Sequence, residues 1–273
     1  MPARAKEPGG ETVGHERVGL LPKTERWRTL VASIANVTGE SDVADLAART
    51  TELLRSQLRD VQTDAGVQAA FHYLVLLGFA ARDPETAQGQ LKTYGINVPE
   101  SPTPLDFVRA LREWVAAHSE NSDNSELATR AAGEAICGWF EENRTGSRAL
   151  FQKHENAFDI WHGAASGSGF CELARKFFAR FTERHLNYYL EREASAVARS
   201  MESRDALARN LKDHVDRVSK HAFETAKITQ SFAAGWFNRR RDERSVSGEE
   251  IEGFLRLAFG KIRDELLRER HRI

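Results

Sequence analysis

The stretch KHENAFDIWHGAASGSGF, residues 153–170, places Glu155, Asp159 and His162 at positions i, i+4 and i+7. Those spacings share one face of a helix. Two carboxylates and an imidazole so grouped have the chemistry to hold a metal ion or to move a proton. The Gly/Ser run from Gly163 to Gly169 then leads into a helix start, where unpaired N–H groups attract anions. The signatures that would make this an established site are missing. There is no Glu-x-x-His, no His-Glu-x-x-His and no lysine closing the glycine run, and Ser168 lies in GSG rather than GxSxG. A solvated polar face ahead of a glycine turn is the expectation. His154 is then a hydrogen-bonded core residue, and neither a metal nor any other cofactor is expected.

A second chemistry lies in FCELARKFFARFTERHLNYYLERE, residues 170–193. Phe177, Phe178, Phe181, Tyr188 and Tyr189 interleave with Arg175, Lys176, Arg180 and Arg184. Aromatic rings beside cations can stack bases and hold phosphates. The same spacing also suits a helix with a wide aromatic core face, with Glu183, Glu191 and Glu193 placed to pair with the arginines. Arg239, Arg240 and Arg241, after the apolar run ending Trp236-Phe237, form a third cationic group. They read as a helix C-terminus complementing its dipole, or as a phosphate grip. The end of the chain, KIRDELLRERHRI, mixes Lys261, Arg263, Arg268, Arg270 and Arg272 with Asp264, Glu265 and Glu269, as a solvated amphipathic helix does.

A third pattern is RNLKDH, residues 209–214. Arg209-Asn210-x-x-x-His214 resembles the R-N-x-x-x-H form of the motif in HEPN ribonucleases. That family is all-helical, often dimeric across the active site and often part of bacterial defence or toxin–antitoxin systems. The resemblance covers six residues in a compatible helical half. It implies that His214 is the acid/base group, that Arg209 steadies the phosphate, and that RNA is cut without metal.

The elements that must position these residues are helices. Apolar spacing is helical almost throughout. Trp27, Leu30, Val31 and Ile34 make one stripe; Val43, Leu46, Leu53, Leu54 and Val61 make the next, opened by Ser41. Residues 65–82 are apolar nearly all round, which predicts a central buried helix. Three prolines between 99 and 104 mark a loop, and Thr103 with Asp106 predicts a capping box around Pro104. No Gly or Pro occurs from 170 to 234, so long helices are expected over 169–201 and 203–240. Ser203 is the expected restart and Ser247 with Glu250 the cap of the last helix. In 203–240, Leu211, Val215, Val218, Ala222, Thr225, Thr229, Phe232 and Trp236 form a seam, and the small Ala233, Ala234 and Gly235 permit a close backbone approach. The expected fold is all-α, a bundle of about eight to ten helices with a long antiparallel pair in the C-terminal half. Its expected organisation is a disordered tail at 1–17, an N-terminal helical part at 18–120 and a C-terminal part at 121–273.

The 273 residues carry a net charge of −1, so a role in binding nucleic acid needs a local patch rather than a global field. The longest apolar run, residues 71–81, is shorter than the roughly 20 residues of a membrane span. With no apolar leader, and with Cys137 and Cys171 read as free thiols, a cytoplasmic location is expected. The leading functional expectation is a non-catalytic helical adaptor or assembly subunit with protein partners or a homo-oligomeric state. A HEPN-like ribonuclease is the alternative, and an RNA/DNA-binding helical protein the second.

Overall fold

The computed structural model describes residues 21–37, 39–144, 157–197, 200–224, 227–243 and 245–270. Its α-helices are α1 (Glu25–Ile34), α2 (Glu40–Leu53), α3 (Arg55–Asp60), α4 (Ala65–Ala80), α5 (Ala87–Thr93), α6 (Pro104–His118), α7 (Asp123–Asn143), α8 (Ala157–His162), α9 (Gly167–Val197), α10 (Met201–Glu224), α11 (Lys227–Glu243) and α12 (Gly248–Glu269). The described residues contain no strand. The class is all-α, as expected. The tail at 1–17, His154 and Glu155 lie outside the described residues.

Local chemistry sets the helix ends. Thr103 Oγ1 accepts from the Asp106 N–H while the Asp106 carboxylate accepts from the Thr103 N–H, the reciprocal pair that the spacing predicts. Ser247 and Glu250 do the same for α12. Elsewhere the starts differ from expectation. Gly39, not Ser41, precedes α2, with its N–H donated to Asp42 Oδ2 at 3.1 Å. Ser200, not Ser203, opens α10: the two serines exchange N–H···Oγ bonds at 3.2 Å. The stripe from Val43 to Val61 is two helices, because Leu54 leaves helical geometry (φ −95°, ψ 18°). The expected helix at 203–240 is likewise α10 and α11. Among the described side chains of α11 the buried positions are Ala233 and Phe237, one residue on from Phe232, which is 38% exposed, and from Trp236.

The all-round apolar α4 lies at the centre, packed by α6, α7, α9 and α12. Phe71 packs against Phe170, Phe177, Phe178 and Phe254 with ring centroids 5.0–6.1 Å apart. Tyr73, fully buried, donates its hydroxyl to the Phe107 carbonyl at 2.8 Å, which satisfies a polar group that would otherwise be costly to bury. One continuous set of buried apolar side chains runs from Trp27 on α1 to Leu266 on α12. The spine is α9, which packs most extensively against α7 and α10. The small residues of α11 work as expected in one place: an added Cβ at Gly167 would lie 2.9 Å from the Ala234 Cβ. No helix of the described residues is long and apolar enough to cross a membrane.

Candidate functional site

α10 runs without interruption through residues 209–214. Five residues turn a helix by about 140°, so Arg209 and His214 project to different sides. Arg209 and Asn210 are exposed. His214 is 4% exposed, in the seam that α10 forms with α2 and α12. Its Nε2 has no hydrogen-bond partner among the described residues. Burial, and then the Arg217 charge, push its pKa below the ordinary histidine value, against the pull of Glu269 and Glu40. The three motif residues therefore do not converge within one chain.

The basic residues of α9 are committed to carboxylates. Arg175, 6% exposed, donates to both oxygens of Glu172 (2.7 and 3.0 Å), to Asp216 Oδ1 at 3.3 Å and to Ser219 Oγ at 3.2 Å on α10. Burial works to raise the Glu172 pKa, but Arg175 and Lys176 hold it below the usual carboxylate range. Lys176 reaches Glu142 on α7 at 2.5 Å, and Arg184 and Arg180 share Glu134. Phe177, Phe178, Phe181 and Tyr189 are fully buried, and Tyr188 donates its hydroxyl to Asp123 at 2.7 Å. Hence four of these five rings are buried, Tyr188 is half-buried, and the four cations named are already paired with carboxylates. On α11, Arg240 pairs with Glu243 and Glu250, Arg241 donates to the Ala165 carbonyl at 3.1 Å, and Arg239 is exposed.

Asp159 and His162 are exposed on the short α8. His162 Nδ1 lies 3.0 Å from the Ala81 carbonyl. A carbonyl only accepts, so Nδ1 carries the proton and the ring caps the end of α4. At the start of α9, Ser166 Oγ accepts from the Gly169 N–H at 3.0 Å. Gly169 is required there, since an added Cβ would meet the Gly163 carbonyl oxygen at 2.0 Å. Among the described residues no three His, Cys, Asp or Glu side chains gather as metal ligands. Cys171 is buried and Cys137 half-buried, and neither is in a disulfide among the described residues; burial and then Glu141 and Glu134 raise the Cys137 pKa.

Compared with protein-family models, with curated proteins and with solved structures, the chain shows no match.

Sequence reasoning missed a pair two turns along the α10–α12 seam, with His221 partly exposed. His221 Nε2 lies 3.2 Å from Glu265 Oε1, and the Glu265 side chain is only 6% exposed; Arg268 takes its other oxygen at 3.1 Å. Two signals were available. His221 follows His214 by seven residues, hence on the same stripe, and Glu265 interrupts the apolar stripe of α12 between Ile262 and Leu266. A separate cleft of about 420 Å³ opens between the end of α6 and the start of α7. Arg112, Arg130, Glu120 and Glu126 line it, and Arg130 is paired with Glu126 at 2.5 Å one turn away on α7. That balance gives the cleft no preference for a charged ligand of either sign.

Proposed function

We propose that this chain is a non-catalytic helical subunit or adaptor of a multi-protein assembly. The observation that supports the reading most is the commitment of its chemically capable side chains to holding helices together. Arg175, Lys176, Arg180 and Arg184 serve the α7–α9–α10 contacts through Glu134, Glu142, Glu172 and Asp216. The Arg209, Asn210 and His214 set is divided between an exposed face and a buried seam. What remains for contact with other molecules is a set of solvent-facing helix surfaces of mixed charge. On α10 these include Asp205, Arg209, Lys212 and Asp213, residues that confer partner choice and register more than raw affinity.

The test joins light scattering of the purified chain with affinity capture under native conditions. A discrete oligomer, or a partner that co-purifies at fixed stoichiometry, is the expected result. A strict monomer with no stoichiometric partner counts against the reading. The ribonuclease reading is tested in parallel by RNA cleavage in EDTA for wild type, His214→Ala and Arg209→Ala. Cleavage lost in both variants would replace the adaptor reading. A nucleic-acid affinity that falls steeply with salt would point to phosphate contacts instead.

A further inference from the structure

The C-terminal half of α12 rests in a seam with an uneven distribution of charge. Ile262 and Leu266 are buried there, and so is Glu265. From α10 come His214, Val218 and His221; from α2 comes Glu40, whose carboxylate accepts from Arg217 at 2.9 Å. The charged groups acting on His214 are Arg217 on its own helix, Glu269 on α12 and Glu40 on α2. On the α9 side, Arg175 is already held by Glu172 and Asp216, and on α11, Arg240 is held by Glu243 and Glu250. His214 thus sits 96% out of water with Nε2 unpartnered and a guanidinium close by.

We infer that this seam is an acid-released joint, in which protonation of His214 detaches the end of α12 beyond Glu265. A buried imidazolium with no hydrogen-bond acceptor on Nε2 gains by reaching water. Burial and the like charge of Arg217 oppose the proton, and the two carboxylates only partly offset them. The strain is relieved at the weakest neighbour. α2 is anchored by the fully buried Val43, Leu46 and Ala47. Of residues 266–270 only Leu266 is buried, and Arg270, just past the end of α12, reaches Asp45 at 3.1 Å and Glu52 at 3.6 Å. Those last pairs are exposed and contribute little. His221, within 3.2 Å of Glu265, keeps the joint from opening further toward the start of α12.

Hydrogen exchange on the full chain, corrected for intrinsic rates, tests this at pH 7.5 and 5.5. The expected result is a severalfold loss of protection at residues 266–270 in acid, below the roughly tenfold ceiling set by an exposed histidine of ordinary pKa, with α4 unchanged, since local openings need less free energy than global unfolding. His214→Leu is expected to abolish the loss. Arg217→Gln is expected to shrink it and Glu269→Gln to enlarge it, so the test survives if His214→Leu fails to fold. Overturning results are exchange at 266–270 that does not respond to pH, an equal loss in His214→Leu, a loss shared by α4, or no opposed response of the two charge variants.

Discussion

His185 lies on α9 with no exposed surface, between Phe181 and Tyr189 at ring-centroid distances of 5.9 and 5.3 Å. Neither ring nitrogen has a partner among the described residues. Burial alone lowers its pKa to about 4 from the ordinary 6.5. The unfolded chain therefore binds a proton that the folded chain refuses. Stability from this residue is fully present above pH 6.5 and is lost as the pH falls from 6.5 toward 4. A shift of that size corresponds to about 3 kcal/mol in total, and about 2 kcal/mol of it is gone by pH 5. Domain stabilities are on the order of 5–15 kcal/mol, so one histidine accounts for a visible fraction. The perturbation is His185→Leu, which keeps the approximate volume and removes both ring nitrogens. Urea unfolding of wild type and variant at pH 7 and pH 5 measures the difference. The wild type is expected to lose about 2 kcal/mol more than the variant between the two pH values. Titration of groups common to both proteins cancels in that comparison. Equal acid sensitivity of the two proteins would refute the reasoning, because it would mean that His185 is hydrated or partnered when folded.

Other outcomes follow from packing and pairing. Gly66→Ala would bring a Cβ within 2.2 Å of the Ser125 Cβ and 2.6 Å of its Cα, where α4 meets α7; a loss of about 2 kcal/mol or more is expected in the same assay. Gly253→Ala, in the interior of α12 with nothing within 4 Å, is expected to stabilise by about 0.5–1 kcal/mol. Arg175→Ala removes a side chain bonded to Glu172, Asp216 and Ser219. Since both carboxylates are over a third exposed and rehydrate, the expected loss is about 2 kcal/mol, below the cost of stranding a buried charge. Thr103→Ala removes the hydroxyl that caps α6 and is expected to cost about 1 kcal/mol in thermal or urea unfolding.

The fold class and several element ends are a property of local sequence. The 3.6-residue spacing of Trp27, Leu30 and Ile34, the uninterrupted run after Gly169 and the reciprocal caps at Thr103 and Ser247 each act within a few residues, where backbone and neighbouring side chains suffice. The fate of the polar residues was decided elsewhere. Whether Arg175 or Arg184 meets phosphate or carboxylate depends on Asp216, 41 residues on, and Glu134, 50 residues back. Whether His214 is an acid/base group or a buried ring depends on α2 and α12 closing over it. The His221–Glu265 contact likewise joins helices that are adjacent only after folding. Helix formation reads neighbours three and four positions away, whereas burial, pairing and proton affinity read whatever the tertiary packing brings alongside; the first was contained in the order of residues, and the second only in the assembled bundle.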